Sequence, residues 1–256
     1  MRTVLAASMI IFLSAASAQK AYLTAGIGYG FSYGAIVNDR GMPYTFNSAG
    51  ATLGKGMTYG FNIGYILDSK QGIVNQKAGI DLGIWYVAGS TYAVDHLDSN
   101  STFVPSRFRG NTLRIMPALK IIWGNRHKFY VKAGALVGIM TEAQYEDEYN
   151  VANICATSPY IATYKFSGGN SFGYVIALGI NFSGDEKTSL FIEAAGCSEH
   201  FKPSKETIDA CGSPTVTYQL VDYADPNNPD ERTRPTFTFS SIGINAGVKF
   251  LLGGKK

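Results

Sequence analysis

Charge is what this sequence has least of. Asp, Glu, Lys and Arg make up 16% of its 256 residues, against roughly a quarter in soluble domains. The 22 basic residues nearly balance the 19 acidic ones. No basic run or stripe stands out, so no nucleic-acid partner is expected. There are three cysteines, Cys155, Cys197 and Cys211, with no C-x-x-C pair and no His/Cys spacing suited to a metal. No metal and no cofactor are therefore expected. Beyond the N-terminus no segment approaches the ~20 apolar residues of a membrane helix. A phosphate-binding loop is missing too: the glycines of GIGYGFSYG, Gly26 to Gly34, are out of step with G-x-G-x-x-G, and no helical pattern follows.

Glycine (29), tyrosine (16) and phenylalanine (15) are abundant instead. The N-terminus, MRTVLAASMIIFLSAASA, has a basic Arg2, an apolar stretch from Val4 to Leu13, and Ala16-Ser17-Ala18. This is the pattern of a secretory signal, with cleavage expected after Ala18. Residues 1–18 thus read as a cleaved signal peptide and 19–256 as a single domain. An exported chain without a membrane helix becomes soluble or enters a membrane as a closed barrel.

Alternation dominates the remainder. In the first segment Leu23, Ala25, Ile27, Tyr29, Phe31 and Tyr33 share one parity; Thr24, Gly26, Gly28, Gly30 and Ser32 share the other. Successive side chains of a strand point to opposite faces, so one face is bulky and apolar and the other small or polar. The same holds at 57–65, 78–86, 113–123, 129–139, 172–182, 190–195 and 242–250. Upstream of Ser240 the apolar parity passes to Phe237 and Phe239, which predicts a β-bulge at Ser240–Ser241.

A soluble sandwich also alternates, and two features decide against it. Asp81, Arg114, Lys120, Lys132, Glu193 and Lys249 all fall on the small-residue face, while the bulky face carries no charge in any segment. That is the lipid-out, polar-in pattern of a membrane barrel. The connections also alternate in length. They are short after the second, fourth and sixth segments (DSKQGIVN, GNRHK, SGDEKT) and long at 35–55, 89–110, 141–170 and 198–235. Aromatics gather near segment ends, as at Trp123, Phe129 and Phe182, and at Tyr29, Phe31, Tyr59 and Tyr86, where interfacial girdles would lie. The expected fold is an eight-stranded antiparallel up-and-down transmembrane β-barrel with short periplasmic turns and long extracellular loops. A ten-stranded form, using TVTYQLVDY as a hairpin above the membrane, is the alternative.

On these residues, and on a last strand ending in NAGVKF, the sequence resembles the small Gram-negative outer-membrane β-barrel proteins. It is most similar to the porin-family outer-membrane β-barrel domain common in Bacteroidota-like bacteria. The resemblance is architectural and covers the whole of 19–256. It departs at the end, where LLGGKK follows Phe250. It implies a bacterial outer-membrane location, a monomer, and contact with outer-membrane lipid and lipopolysaccharide. Some such barrels act on lipid A, so Ser/His/carboxylate groups matter: Asp95, His96, Asp98 and Ser99 in one loop, Ser198, Glu199 and His200 in another. The His-x-Ser pattern of the lipid A deacylases is absent, with Lys202 at that position.

An eight-stranded barrel is just wide enough for side chains to fill, and buried charges must be paired. The cluster Asp81, Arg114, Lys120, Lys132, Glu193 and Lys249 is therefore expected to form a salt-bridged plug; a narrow pore with a basic excess is the alternative. Gly26, Gly28 and Gly30 are expected to make room for large inward side chains such as Trp85, Arg114 or Tyr130. Carboxylates at 142–150 and 225–231 could hold Ca²⁺, but lack EF-hand spacing and read as solvated loops. A Cys155–Cys211 disulfide is preferred over Cys211–Cys197. The function expected is non-enzymatic: a barrel anchoring surface loops for structural roles or for binding extracellular protein or glycan. A small-solute pore and a lipid A-modifying enzyme are the alternatives.

Overall fold

A computed structural model describes residues 21–33, 37–38, 52–67, 76–97, 103–124, 127–149, 160–183, 187–209 and 214–252. The signal segment, Asp98, Ser99, Cys155 and Cys211 lie outside the described residues, so the preferred disulfide does too. The strands are β1 (Ala21–Ser32), β2 (Val37–Asn38), β3 (Gly56–Leu67), β4 (Gln76–Gly89), β5 (Tyr92–Leu97), β6 (Phe103–Trp123), β7 (His127–Tyr149), β8 (Tyr160–Ser167), β9 (Asn170–Ser183), β10 (Thr188–Lys202), β11 (Lys205–Asp209), β12 (Val216–Val221), β13 (Glu231–Thr233), β14 (Thr236–Thr238) and β15 (Ser241–Leu252).

Eight of them close into an antiparallel barrel in the order β1, β3, β4, β6, β7, β9, β10, β15. The seam is β1 against β15, in register from Ala21↔Leu252 to Ser32↔Ser241. The expected eight-stranded barrel is the fold, and each alternating segment is one of its staves.

The two parities land as the sequence implies. Ile27, Leu119, Ile121, Phe172, Leu178 and Leu190 are exposed on the outside, whereas Thr24, Asn62, Asp81, Trp85, Lys120 and Lys132 are buried within. A continuous apolar exterior of this extent is a surface for hydrocarbon rather than water. Trp123 stacks on Phe129 at the short-turn end, and Tyr59 meets Tyr86 toward the other end. Of the three glycines expected to admit large side chains only Gly26 does so; Gly28 faces Asn245 and Thr58, and Gly30 faces Ser241 and the Gly54 carbonyl. A Cβ at Gly26 would lie 2.9 Å from Phe191 Cζ and 3.3 Å from Trp85 Cη2, and one at Gly60 would lie 2.8 Å from Trp85 Cγ. Phe191 and Trp85 take the space at Gly26, whereas Tyr130 fills the space at Gly179.

The upper end differs from expectation. β6 and β7 are 21 and 23 residues long, about twice what a membrane strand needs. Their upper halves, and β5, β8 and β11 to β14, occupy much of what the sequence suggested as long loops. β8, β11, β12 and β13 continue the sheet from upper β7. TVTYQLVDY contributes β12 to this outer sheet and no barrel stave. Residues 142–149, read as a solvated loop, are strand instead: Glu142 pairs with Lys165, and Glu146 lies 4.0 Å from Arg109.

The bulge also lies elsewhere. Cys197↔Ser241 and Phe201↔Phe237 belong to one unbroken register, so Phe237 and Phe239 share the inward parity of Ser241. Apolar residues turn inward there because the interior above the membrane is an apolar core, not because the strand changes phase. The phase change occurs in β7. The partners of Asn111 and Leu113 are Glu142 and Ile139, so two residues, Met140 and Thr141, oppose Thr112. Met140 has φ 53°. Tyr130, Lys132 and Leu136 face inward below it; Thr141, Ala143 and Tyr145 do so above.

Candidate functional site

The lumen holds the chemistry of this molecule, in layers. Near the short-turn end, Asp81 of β4 accepts a hydrogen bond from the Tyr22 hydroxyl and lies 3.4 Å from Lys120 Nζ of β6. The Lys120 ammonium sits over the Tyr130 ring, 3.9 Å from its centroid. Lys249 of β15 lies over the Tyr22 ring at 3.8 Å. One layer higher, Glu193 of β10 pairs with Lys132 of β7 at 2.9 Å, and accepts from the Tyr130 hydroxyl at 3.1 Å and the Asn245 amide at 3.3 Å. Trp85 donates its indole N–H to Asn62 Oδ1 (2.9 Å), whose amide donates to Thr24 (2.7 Å). These pairs are nearly solvent-free, the condition under which ion pairs need full hydrogen bonding to be tolerated.

Arg114 is joined by a residue the charge reading missed. Its Nε lies 2.7 Å from Glu199 Oε2, and its Nη2 donates to the Phe239 carbonyl at 2.8 Å. Glu199 also accepts from Thr112 and Ser171. In the sequence Glu199 stands out only within the candidate Ser198–Glu199–His200 group. The signal was available: Phe191, Glu193, Glu199 and Phe201 share one parity, so β10 continues upward with the same face inward. His200, by contrast, is exposed on the outer face and Glu199 is fully buried. The three residues do not converge.

Between the Glu193 and Glu199 layers lies a cavity of about 50 Å³, lined among others by Arg114, Lys132, Glu193, Asn245, Cys197 and Ser241. It has room for a few water molecules. Cys197 is a free thiol, its Sγ 3.2 Å from Ser241 Oγ inside the barrel.

Above Glu199 the lumen turns apolar. Leu53, Phe108, Ala143, Tyr145, Phe166, Phe201, Leu220, Phe237 and Phe239 form one buried cluster. Phe166 packs on Phe237 with centroids 4.8 Å apart. Phe166 and Leu220 come from the outer sheet, so β8 and β12 are fastened over the barrel mouth. Glu206 is buried beneath this sheet, 3.1 Å from Arg232, which stacks on Tyr218. Burial pushes the Glu206 carboxyl above its ordinary value of 4.5, and Arg232 opposes that shift. In the turn at 225–231, Asp225 accepts from the Asn227 backbone and Asn228 from that of Asp230. Among the described residues no group of His, Cys, Asp and Glu is gathered for a metal.

No family model matches the chain, and no curated protein matches it. Among the solved structures it is similar to are three outer membrane proteins. The outer membrane protein OprG from Pseudomonas aeruginosa is 10% identical over 91% of this chain and 96% of its own, with a TM-score of 0.44. A major outer membrane protein from Thermus thermophilus is 10% identical over 90% and 98%, with a TM-score of 0.43. The outer membrane protease OmpT from Escherichia coli is 10% identical over 91% and 96%, with a TM-score of 0.49.

Proposed function

We propose that this chain is an exported, monomeric outer-membrane protein without enzymatic activity. Its barrel is a closed anchor, and its outer sheet and loops are the working surface, meeting extracellular protein or glycan. In this reading the signal segment is cleaved after Ala18, and the exterior contacts outer-membrane lipid and lipopolysaccharide. The observation that carries the reading is closure of the lumen at two levels. A buried charged layer fills it below, with Lys132–Glu193 reaching past β9 and Asp81–Lys120 joining neighbouring staves, and the aromatic cluster around Phe166, Phe237 and Phe239 fills it above. A solute path would have to break both. A membrane-embedded anchor needs only a stable wall, and it leaves function to the part outside the bilayer.

Three measurements test this. In planar bilayers the refolded protein is expected to give no large, stable unitary currents; such currents would establish the pore instead. Lipid A from cells overexpressing the protein is expected to keep its mass; a changed mass would establish the enzyme. Deleting 204–235 is expected to leave a heat-resistant barrel and abolish attachment to immobilised extracellular protein or glycan.

A further inference from the structure

Pairing the buried lumen charges leaves one over. Asp81 takes Lys120, Glu193 takes Lys132, and Glu199 takes Arg114. The fourth cation, Lys249, is 5% exposed. Among the described residues it has no carboxylate partner and donates no hydrogen bond; its ammonium lies only over the Tyr22 ring. The same ring has the Lys120 ammonium 5.3 Å from its centroid. Two cations thus flank one aromatic ring, and the Tyr22 hydroxyl is already committed to Asp81. A ring face attracts an ammonium, but it does not satisfy three N–H donors or supply a counter-charge.

The surroundings of Lys249 offer hydroxyls and further cations but no unengaged carboxylate. Its register partners are Thr24 on β1 and Ser189 on β10, both on the inward parity. The Thr24 oxygen accepts from Asn62, which leaves its hydroxyl hydrogen free to donate. Lys128 stands at the start of β7, on the same inward parity as Tyr130 and Lys132. Asp81, the nearby carboxylate, is engaged by both Tyr22 and Lys120. Lys249 is one inward step from the end of β15, at the short-turn end of the barrel, while the aromatic cluster shuts the opposite end.

We propose that the periplasmic end of the lumen binds a small inorganic oxyanion of the phosphate type, seated on Lys249 with the hydroxyls of Thr24 and Ser189 as further donors. One such anion neutralises the surplus charge and accepts the idle N–H groups. The site is independent of the surface role proposed above, because it sits at the other end of the barrel.

Inorganic phosphate titrated into the refolded, full-length protein at constant ionic strength tests it, read by ³¹P line broadening. Saturable binding is expected, weakened about tenfold or more in Lys249→Gln. It should be retained in Lys249→Arg and in Lys202→Gln, which removes an exposed charge at the opposite end. Heat-modified mobility on gels checks that each variant is a closed barrel. Absence of saturable binding to the wild type, or equal binding by Lys249→Gln, overturns the proposal. So does a wild-type barrel whose thermal stability phosphate leaves unchanged while Lys249→Gln raises it, since the ammonium would then be merely uncompensated.

Discussion

Arg114 and Glu199 are joined across the lumen rather than along its wall. Nε lies 2.7 Å from Oε2, with the two side chains 6% and 0% exposed. Their strands, β6 and β10, are separated in the barrel by β7 and β9. The pair is a strut holding two distant staves at a fixed distance.

Removing one end of that strut strands a charge. Glu199→Ala is expected to lower the unfolding free energy by about 3–5 kcal/mol, because Arg114 is left buried without a carboxylate. Replacing both, with Arg114→Met and Glu199→Leu, is expected to recover most of the loss. Urea unfolding in lipid vesicles measures both; a single variant as stable as wild type would deny the strut.

Leu119 is 70% exposed on the outer face of β6. On a water-facing surface Leu119→Arg would change stability by no more than about 0.5 kcal/mol. Facing hydrocarbon near the bilayer middle, it is expected to cost about 2–4 kcal/mol in vesicles. The same unfolding titration separates the two cases.

Gly26 supports the ring of Phe191. Gly26→Val is expected to destabilise the barrel by about 1–3 kcal/mol through overpacking. Phe191→Leu in the same chain is expected to return part of that, a coupling that a double-mutant cycle reads directly.

Glu206 gives the outer sheet a pH dependence of known sign. Its carboxyl is raised by burial, so the folded sheet holds the proton more tightly than the unfolded chain. Its contribution is therefore present at low pH and lost as pH rises from 4.5 through the raised value. Hydrogen exchange of residues 205–221 is expected to slow, relative to the intrinsic rate, on acidification through that window in the wild type. In Glu206→Gln the change is expected to be smaller. Equal pH responses would sink the assignment.

The membrane-embedded half was legible because hydrocarbon enforces one rule: every outward residue must be apolar, so Ile27, Tyr29 and Phe31 declare their face. Above the bilayer that rule lapses. Outward positions of upper β7 are Glu142, Gln144 and Glu146, and its inward ones are Ala143 and Tyr145, which read in isolation as a polar loop. The bulge at Met140 then reverses parity, so extrapolating from Lys132 upward assigns Tyr145 to the wrong side. Phe237 and Phe239 misled for a related reason. The rule that apolar residues face lipid fails for them, because they face a core that the polar lumen gives no hint of. The charge cluster was readable as a set, but Glu199 was hidden in a stretch read as the start of a loop.

The seam between β1 and β15 joins the first and last staves of the chain. No shorter stretch of this polypeptide has a partner for both of its outermost strands. In hydrocarbon an unpaired backbone amide or carbonyl costs several kcal/mol, and an open seam would display a whole row of them. A half-zipped sheet is therefore not a resting place inside the bilayer. Closing this seam therefore satisfies the last open row of backbone groups, and it draws on β15 up to Leu252.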